Sequence, residues 1–186
     1  WISRATKDWK EGFKEKNSLI CTSSGGNGKN FIKGTVLPGM INLHCHSHQR
    51  TIAGLTEYPS EGKNNFWSWR NQMYKQIEKI NPSHFYAISN FVYLEMIKSG
   101  YTSVAEFQYI HHDPHGKQYD EPAEISLCSI SSAQHVGIAL TILPVLYSFS
   151  DFGSKPALPN QKRFINTIDS FLLIFSRLES HMTKNI

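Results

Sequence analysis

The chain predicts an α/β fold in which short strands alternate with helices to build a parallel sheet, and two observations carry that prediction. Apolar runs of strand length end near residues 46, 111 and 147. Between and after them lie segments with helical punctuation, one of them opened by Asn81-Pro82 and closed by Gly100. Strands separated by one or two helices each are the pattern of a parallel sheet with helical crossovers.

Taken in order, residues 1–34 are polar and broken, with Ser23-Ser-Gly-Gly-Asn-Gly-Lys-Asn30 in the middle. A phosphate-binding loop would want Gly at position 23 and Ser or Thr at position 30, so the cluster is read as a flexible turn. Residues 35–46 read as the first strand. Phe66 to Arg70 is an aromatic run at helical spacing. Asn81 to Lys98 is a helix with Asn81 as its cap, Pro82 at its first position and an approximate apolar stripe through Ile88, Phe91, Val92, Leu94 and Ile97. Thr102 to His111 is the second strand, Glu121 to His135 a helix opened by Glu-Pro, Gly137 to Tyr147 the third strand, and Gln161 to Leu178 a further helix.

Composition narrows the function. A chain of 186 residues with 40% hydrophobic and 18% charged residues can build one domain with a sizeable core. The formal charge of +4 is mild, and apart from a stretch between Lys7 and Lys16 the basic residues are scattered, which argues against nucleic-acid binding. The longest apolar stretches, Ile138 to Tyr147 and Phe171 to Phe175, fall short of the roughly 18 to 20 residues that span a bilayer, so no membrane association is expected. Three distant cysteines, Cys21, Cys45 and Cys128, point to a reducing compartment, and the cytoplasm is the expected location.

The chemistry concentrates at His44-Cys45-His46, which closes the first strand. Side chains two apart on a strand point the same way, so both imidazoles can converge on one ion while Cys45 faces the other side. Two ligands are not a complete site, since catalytic zinc takes three protein ligands and a water. His48 could extend the set, but the chain must turn before it. His111, His112, Asp113 and His115 look like a second cluster, yet consecutive strand residues face opposite ways, and a strand-end loop shaping a pocket is preferred. Arg70 could bind a carboxylate or simply stack on Trp67 or Trp69. Tyr109 on an apolar strand could be a core tyrosine with a satisfied hydroxyl. His84 and His135 read as helix residues.

Histidines at the C-terminal end of the first strand suit the placement of active sites in (β/α) barrels. Pro38-Gly-Met-Ile-Asn-Leu-His-Cys-His46 resembles the first barrel strand of the amidohydrolase superfamily. Further blocks resemble the formimidoylglutamate deiminase family in particular: His44 to Arg50, Ala53-Gly-Leu55, Phe66-Trp-Ser-Trp-Arg70 with Met73-Tyr74, Glu95-Met96, Gly100-Tyr-Thr102, Ala105 to Asp113, Gly116 with Tyr119, Leu143 to Tyr147 and Gln161 to Asn166. Cys45 and His48 stand where that family tends to have Ser and Phe, and Gln108 replaces a usual His.

The resemblance implies a partial TIM-type (β/α)8 metal-dependent hydrolase barrel, about its first three β/α units, over residues 38–178. Residues 1–37 would then be a remnant of a small N-terminal β segment, and 179–186 a tail. It implies zinc-dependent hydrolysis of N-formimino-L-glutamate to N-formyl-L-glutamate and ammonia in histidine degradation, with one zinc ion on His44 and His46 and substrate contacts from Gln49, Arg70 and Tyr109. A homodimer is one assembly open to the full-length enzyme. A closed barrel takes about 200 residues or more, and the family's catalytic residues and remaining metal ligands lie on later strands. The chain is therefore expected to be an incomplete and inactive half, with no catalytic residue of its own. Two alternatives stand beside this: another deaminase of the superfamily acting on a nucleobase or amino-heterocycle, against which the Phe66–Arg70 block argues, and a non-catalytic fragment or pseudoenzyme.

Overall fold

The computed structural model describes residues 18–22, 29–33, 37–56 and 65–182. It divides into two units, residues 1–39 and 40–186. In the first, β1 (Ser18–Thr22) and β2 (Lys29–Lys33) pair antiparallel with Ser18 opposite Lys33 and Thr22 opposite Lys29. The expected turn at Ser23 to Asn30 lies mostly outside the described residues, as does the basic stretch from Lys7 to Lys16.

In the second unit β3 (Met40–Cys45), β4 (Tyr101–Gln108) and β5 (Ala139–Pro144) form a parallel sheet in the order β3-β4-β5. Helices α1 (Phe66–Ile77) and α2 (Pro82–Lys98) connect the first two strands, and α3 (Glu124–Val136) connects the next two. The alternating pattern thus gives the parallel sheet with helical crossovers that it predicts. The α2 cap forms as its residues dictate, the Asn81 side chain accepting from the His84 backbone N–H at 2.8 Å ahead of Pro82. For α1 the Asn65 side chain accepts from the backbone of Trp67 and Ser68, and Ser68 Oγ accepts from the Asn65 N–H, a reciprocal capping box. Helix α3 ends on Gly137, whose φ of 85° is a left-handed conformation that glycine adopts without a Cβ penalty.

Several boundaries differ from the sequence expectation, among them the third strand, which runs only from Ala139 to Pro144. The first strand begins at Met40, after Pro38-Gly39, where proline offers no ladder donor. The second stops at Gln108, because the His111 and His112 N–H groups donate to the Arg163 carbonyl, at 3.0 and 3.1 Å, instead of to a neighbouring strand. At the start of α3, Glu121 stays outside the helix, accepting from the Ala123 N–H and pairing with Arg177. The last helix, α4 (Ile168–Glu179), begins seven residues later than expected. Gln161, Arg163, Phe164 and Asn166 are buried in an irregular segment before it, and Thr167 caps it by accepting from the Ser170 N–H.

Two apolar clusters hold this unit together. Cys45, Val104 and Leu140 of the sheet pack with Val92 and Tyr93 of α2, Ile130 and Ala133 of α3, and Ile174 and Leu178 of α4. Beyond the strand ends, Met73, Tyr74 and Ile77 of α1 pack with Ile52, Phe85, Ile110, Ile125 and Phe164. The helix-covered sheet face is therefore packed. On β3, Ile41 and Leu43 are 64% and 74% exposed, and on α4 Ile168, Leu172 and Phe175 are exposed as well. Among the described residues no helix is long and apolar enough to cross a membrane.

Candidate metal and substrate site

At the C-terminal end of β3 the strand period places His44 and His46 side by side, with their Nε2 atoms 3.0 Å apart. Cys45 is buried in the packed cluster on the other side. Two imidazole nitrogens each about 2.0–2.1 Å from one zinc at a tetrahedral angle would lie roughly 3.3 Å apart, so the observed separation suits a shared ion after a small adjustment. His46 Nδ1 lies 3.0 Å from the Phe107 carbonyl oxygen. Donation from Nδ1–H to that carbonyl leaves the Nε2 lone pair free to ligate, the usual arrangement behind a metal-bound histidine. Burial, the largest influence, and the neighbouring His44 lower the His46 pKa against the opposing pull of the Phe107 carbonyl. Lowering it favours the neutral form that a metal needs.

Behind the pair is a group that sequence reasoning passed over. Glu106 on β4 is fully buried and accepts from the Ser47 N–H and from Ser47 Oγ–H, both at 2.7 Å, and from the Tyr93 hydroxyl at 3.4 Å. It ties the residue immediately after His46 to the adjacent strand, so it fixes the direction in which the chain leaves β3. Burial, with Glu106 next to it, pushes the Cys45 thiol far above its usual range and keeps it protonated. The only signal available in the sequence was a lone acidic residue within a strand, which must find donors if buried.

Past β3, a 3-10 turn (Ser47–Ile52) carries His48 and Gln49. His48 Nε2 lies 2.7 Å from the Tyr109 hydroxyl, whose pKa the nearby Gln49 side chain pulls down against the effect of burial. Burial holds the Tyr109 phenol up at about 12, and burial with nearby His46 and Arg163 holds His48 down at about 3. The Tyr109 ring stands 5.1 Å from that of His46 and 5.0 Å from that of Phe164, which also contacts Tyr74 and Tyr147. Arg70 reaches this group from α1. Its Nε donates to the Tyr74 hydroxyl at 2.7 Å, and its guanidinium lies 5.2 Å from the Tyr74 ring and 5.6 Å from the Trp67 ring. Arg70 therefore stacks on Trp67, and a continuous line of aromatic contacts joins it to His46 through Tyr74, Phe164 and Tyr109.

His111 and His112 stand apart from this constellation. Each turns a ring nitrogen to a backbone carbonyl, Val145 at 3.0 Å and Ile165 at 2.8 Å, and both are buried. Among the described residues, no group of three or more His, Cys, Asp and Glu side chains could hold a metal. The loop they open is fastened by Arg163, which is buried and donates to the carbonyls of His112 and Ile77 and to the Tyr119 hydroxyl.

Comparison with known proteins bears on this arrangement. A profile described as the amidohydrolase family matches residues 35–177. The chain belongs to the amidohydrolase family. It is 45% identical over 161 residues to a formimidoylglutamate deiminase of Pseudomonas aeruginosa, an overlap covering 87% of this chain and 36% of that protein. The chain thus spans little more than a third of the curated relative it matches. Among solved structures it resembles an amidohydrolase from Brucella melitensis, with a TM-score of 0.75, 32% identity, and coverage of 89% of this chain and 40% of that one. The fold is also shared with an atrazine chlorohydrolase from Arthrobacter aurescens, solved in complex with zinc, at a TM-score of 0.54, 17% identity, and coverage of 80% and 32%.

Proposed function

We propose that residues 38–178 are the opening β/α units of a TIM-type barrel, and that in the complete enzyme they serve the hydrolytic deimination of N-formimino-L-glutamate. The products are N-formyl-L-glutamate and ammonia. The observation that carries the chemistry is the 3.0 Å approach of His44 Nε2 to His46 Nε2, with His46 oriented by the Phe107 carbonyl. Its substrate is drawn from the likeness to the Pseudomonas deiminase.

Zinc, when bound to His44 and His46, supplies a water acidic enough to attack an electrophilic formimino carbon near neutral pH. The two imidazoles are half of a tetrahedral set, so further ligands and the proton-transfer groups must come from outside the described residues. The chain's own part is binding and orientation. Arg70 offers a planar fork of donors suited to a carboxylate of a glutamate derivative, and its present hydrogen-bond partner, the Tyr74 hydroxyl, is one that an anion outcompetes. Gln49 in the turn after β3 and Tyr109 just past β4, beside His46, orient the ligand by hydrogen bonds. Phe107, packed 4.7 Å from the His44 ring, gives the metal-facing side an apolar floor.

The test joins this chain to the part of the Pseudomonas deiminase that it does not span, loads the product with zinc, and measures ammonia release. N-formimino-L-glutamate should be turned over, while guanine and an amino-triazine should not. Replacing His44 and His46 by Ala should abolish the activity. Turnover of guanine or the triazine in preference would overturn the substrate assignment, and turnover surviving both substitutions would overturn the metal assignment.

A further inference from the structure

His48 is the polar group that this reading leaves unused. Its ring is 1% exposed, its Nε2 lies 2.7 Å from the Tyr109 oxygen with the two rings edge to face at 4.9 Å, and its Nδ1 has no hydrogen-bond partner. A neutral imidazole carries one N–H, on one nitrogen or the other. With the proton on Nδ1, a buried donor would be orphaned. With it on Nε2, only a lone pair goes unused, and orphaned buried N–H groups are much the rarer case. His48 Nε2–H is therefore the donor and the Tyr109 oxygen the acceptor.

A phenol oxygen that accepts from His48 must send its own proton elsewhere. In this structure it goes to Met73 Sδ at 3.8 Å, a weak thioether acceptor that an oxygen or nitrogen of a ligand readily displaces. We propose that His48 is a positioning residue that fixes the Tyr109 hydroxyl as a hydrogen-bond donor aimed at the substrate. This rests on the substrate-binding role given to Tyr109 above.

Two measurements test it. In the full chain labelled with ¹⁵N-histidine, two-bond proton–nitrogen correlations should show His48 as the Nε2–H tautomer, its signal identified by its loss in H48F or H48Q. An Nδ1–H tautomer or an imidazolium would overturn the proposal. In the form completed with the Pseudomonas deiminase, H48F keeps the ring volume but removes the donor, and should raise KM for N-formimino-L-glutamate about tenfold, the equivalent of one hydrogen bond, with kcat little changed. H48Q, whose amide nitrogen can stand where Nε2 stood, should recover most of that loss. An unchanged KM in H48F, or no recovery in H48Q, would refute the role of His48. If the parent enzyme releases no ammonia at all, the substrate reading fails, and the tautomer still decides the direction of the hydrogen bond.

Discussion

Replacing Glu106 by Ala should be among the most damaging single changes in this chain. The carboxylate is 0% exposed, and its partners Ser47 and Tyr93 are 1% and 0% exposed, so all three groups are cut off from bulk water. Truncation orphans the Ser47 N–H, deprives the Ser47 hydroxyl of its 2.7 Å acceptor and leaves the Tyr93 hydroxyl facing a void. The 3.4 Å Tyr93 bond is long and contributes least. Counting about 1–3 kcal/mol for each of two well-formed bonds whose donors are left buried, plus about 1 kcal/mol for the cavity, gives a loss of roughly 3–7 kcal/mol. That is a large part of the ~5–15 kcal/mol that holds a typical domain. Glu106→Gln should cost only about 1–2 kcal/mol, because the amide oxygen still accepts from the Ser47 N–H and the amide nitrogen can donate to its hydroxyl. Equilibrium urea unfolding reads both, and with a slope of about 2 kcal/mol per molar the Ala variant should lose roughly 1.5–3.5 M in midpoint. An Ala variant within 0.5 kcal/mol of the parent on the same ~2 kcal/mol per molar slope, or a Gln variant as damaged as the Ala one, would refute the view that Glu106 anchors the turn after the histidine pair.

Arg163→Met, which keeps the stem but removes the donors to His112, Ile77 and Tyr119, should cost about 2–4 kcal/mol in the same assay, and Arg163→Lys should not restore it because one ammonium cannot span that fork. Burial, helped by His112 and opposed by the Val145 carbonyl, lowers the His111 pKa to about 4. Because the folded value lies below the unfolded one, the unfolded chain binds the proton first as pH falls; stability is fully present above about 6.5 and declines towards 4, by about 3 kcal/mol. His111→Gln should flatten that part of the pH–stability curve, and an unchanged slope would contradict the assignment. The 186-residue chain alone should release no ammonia from N-formimino-L-glutamate, and its exposed Ile41, Leu43, Leu172 and Phe175 should bind an apolar dye that the completed form binds less. Dye binding that does not fall on completion would argue that these side chains face solvent in the whole enzyme too.

The parallel sheet was legible because local signals agreed: Asn81-Pro82 and Gly100 delimit α2, and the strand period sets His44 and His46 together and Cys45 apart. What was illegible depends on contacts remote in sequence. Nothing near His111 announces that its N–H will bond to the Arg163 carbonyl and stop the strand. Gln161 to Asn166 has the composition of a helix, yet Arg163 and Phe164 are drawn into the core beyond the strand ends, and tertiary contacts override local propensity. Arg70 was ambiguous between a stacked guanidinium and a ligand group; its contact with Trp67 meets the first description, and the second needs a ligand to be tested. The His48–Tyr109 bond joins residues 61 apart and could not be read from spacing.

The most direct test of the metal assignment is zinc X-ray absorption on the loaded chain. The spectrum should show imidazole nitrogen at about 2.0–2.1 Å from two histidines and no sulfur. That imidazole signature should disappear when His44 and His46 are both replaced by Ala. A sulfur shell near 2.3 Å would mean that a cysteine ligates the ion, and a spectrum unchanged by the double substitution would place zinc elsewhere. Either result would contradict the account.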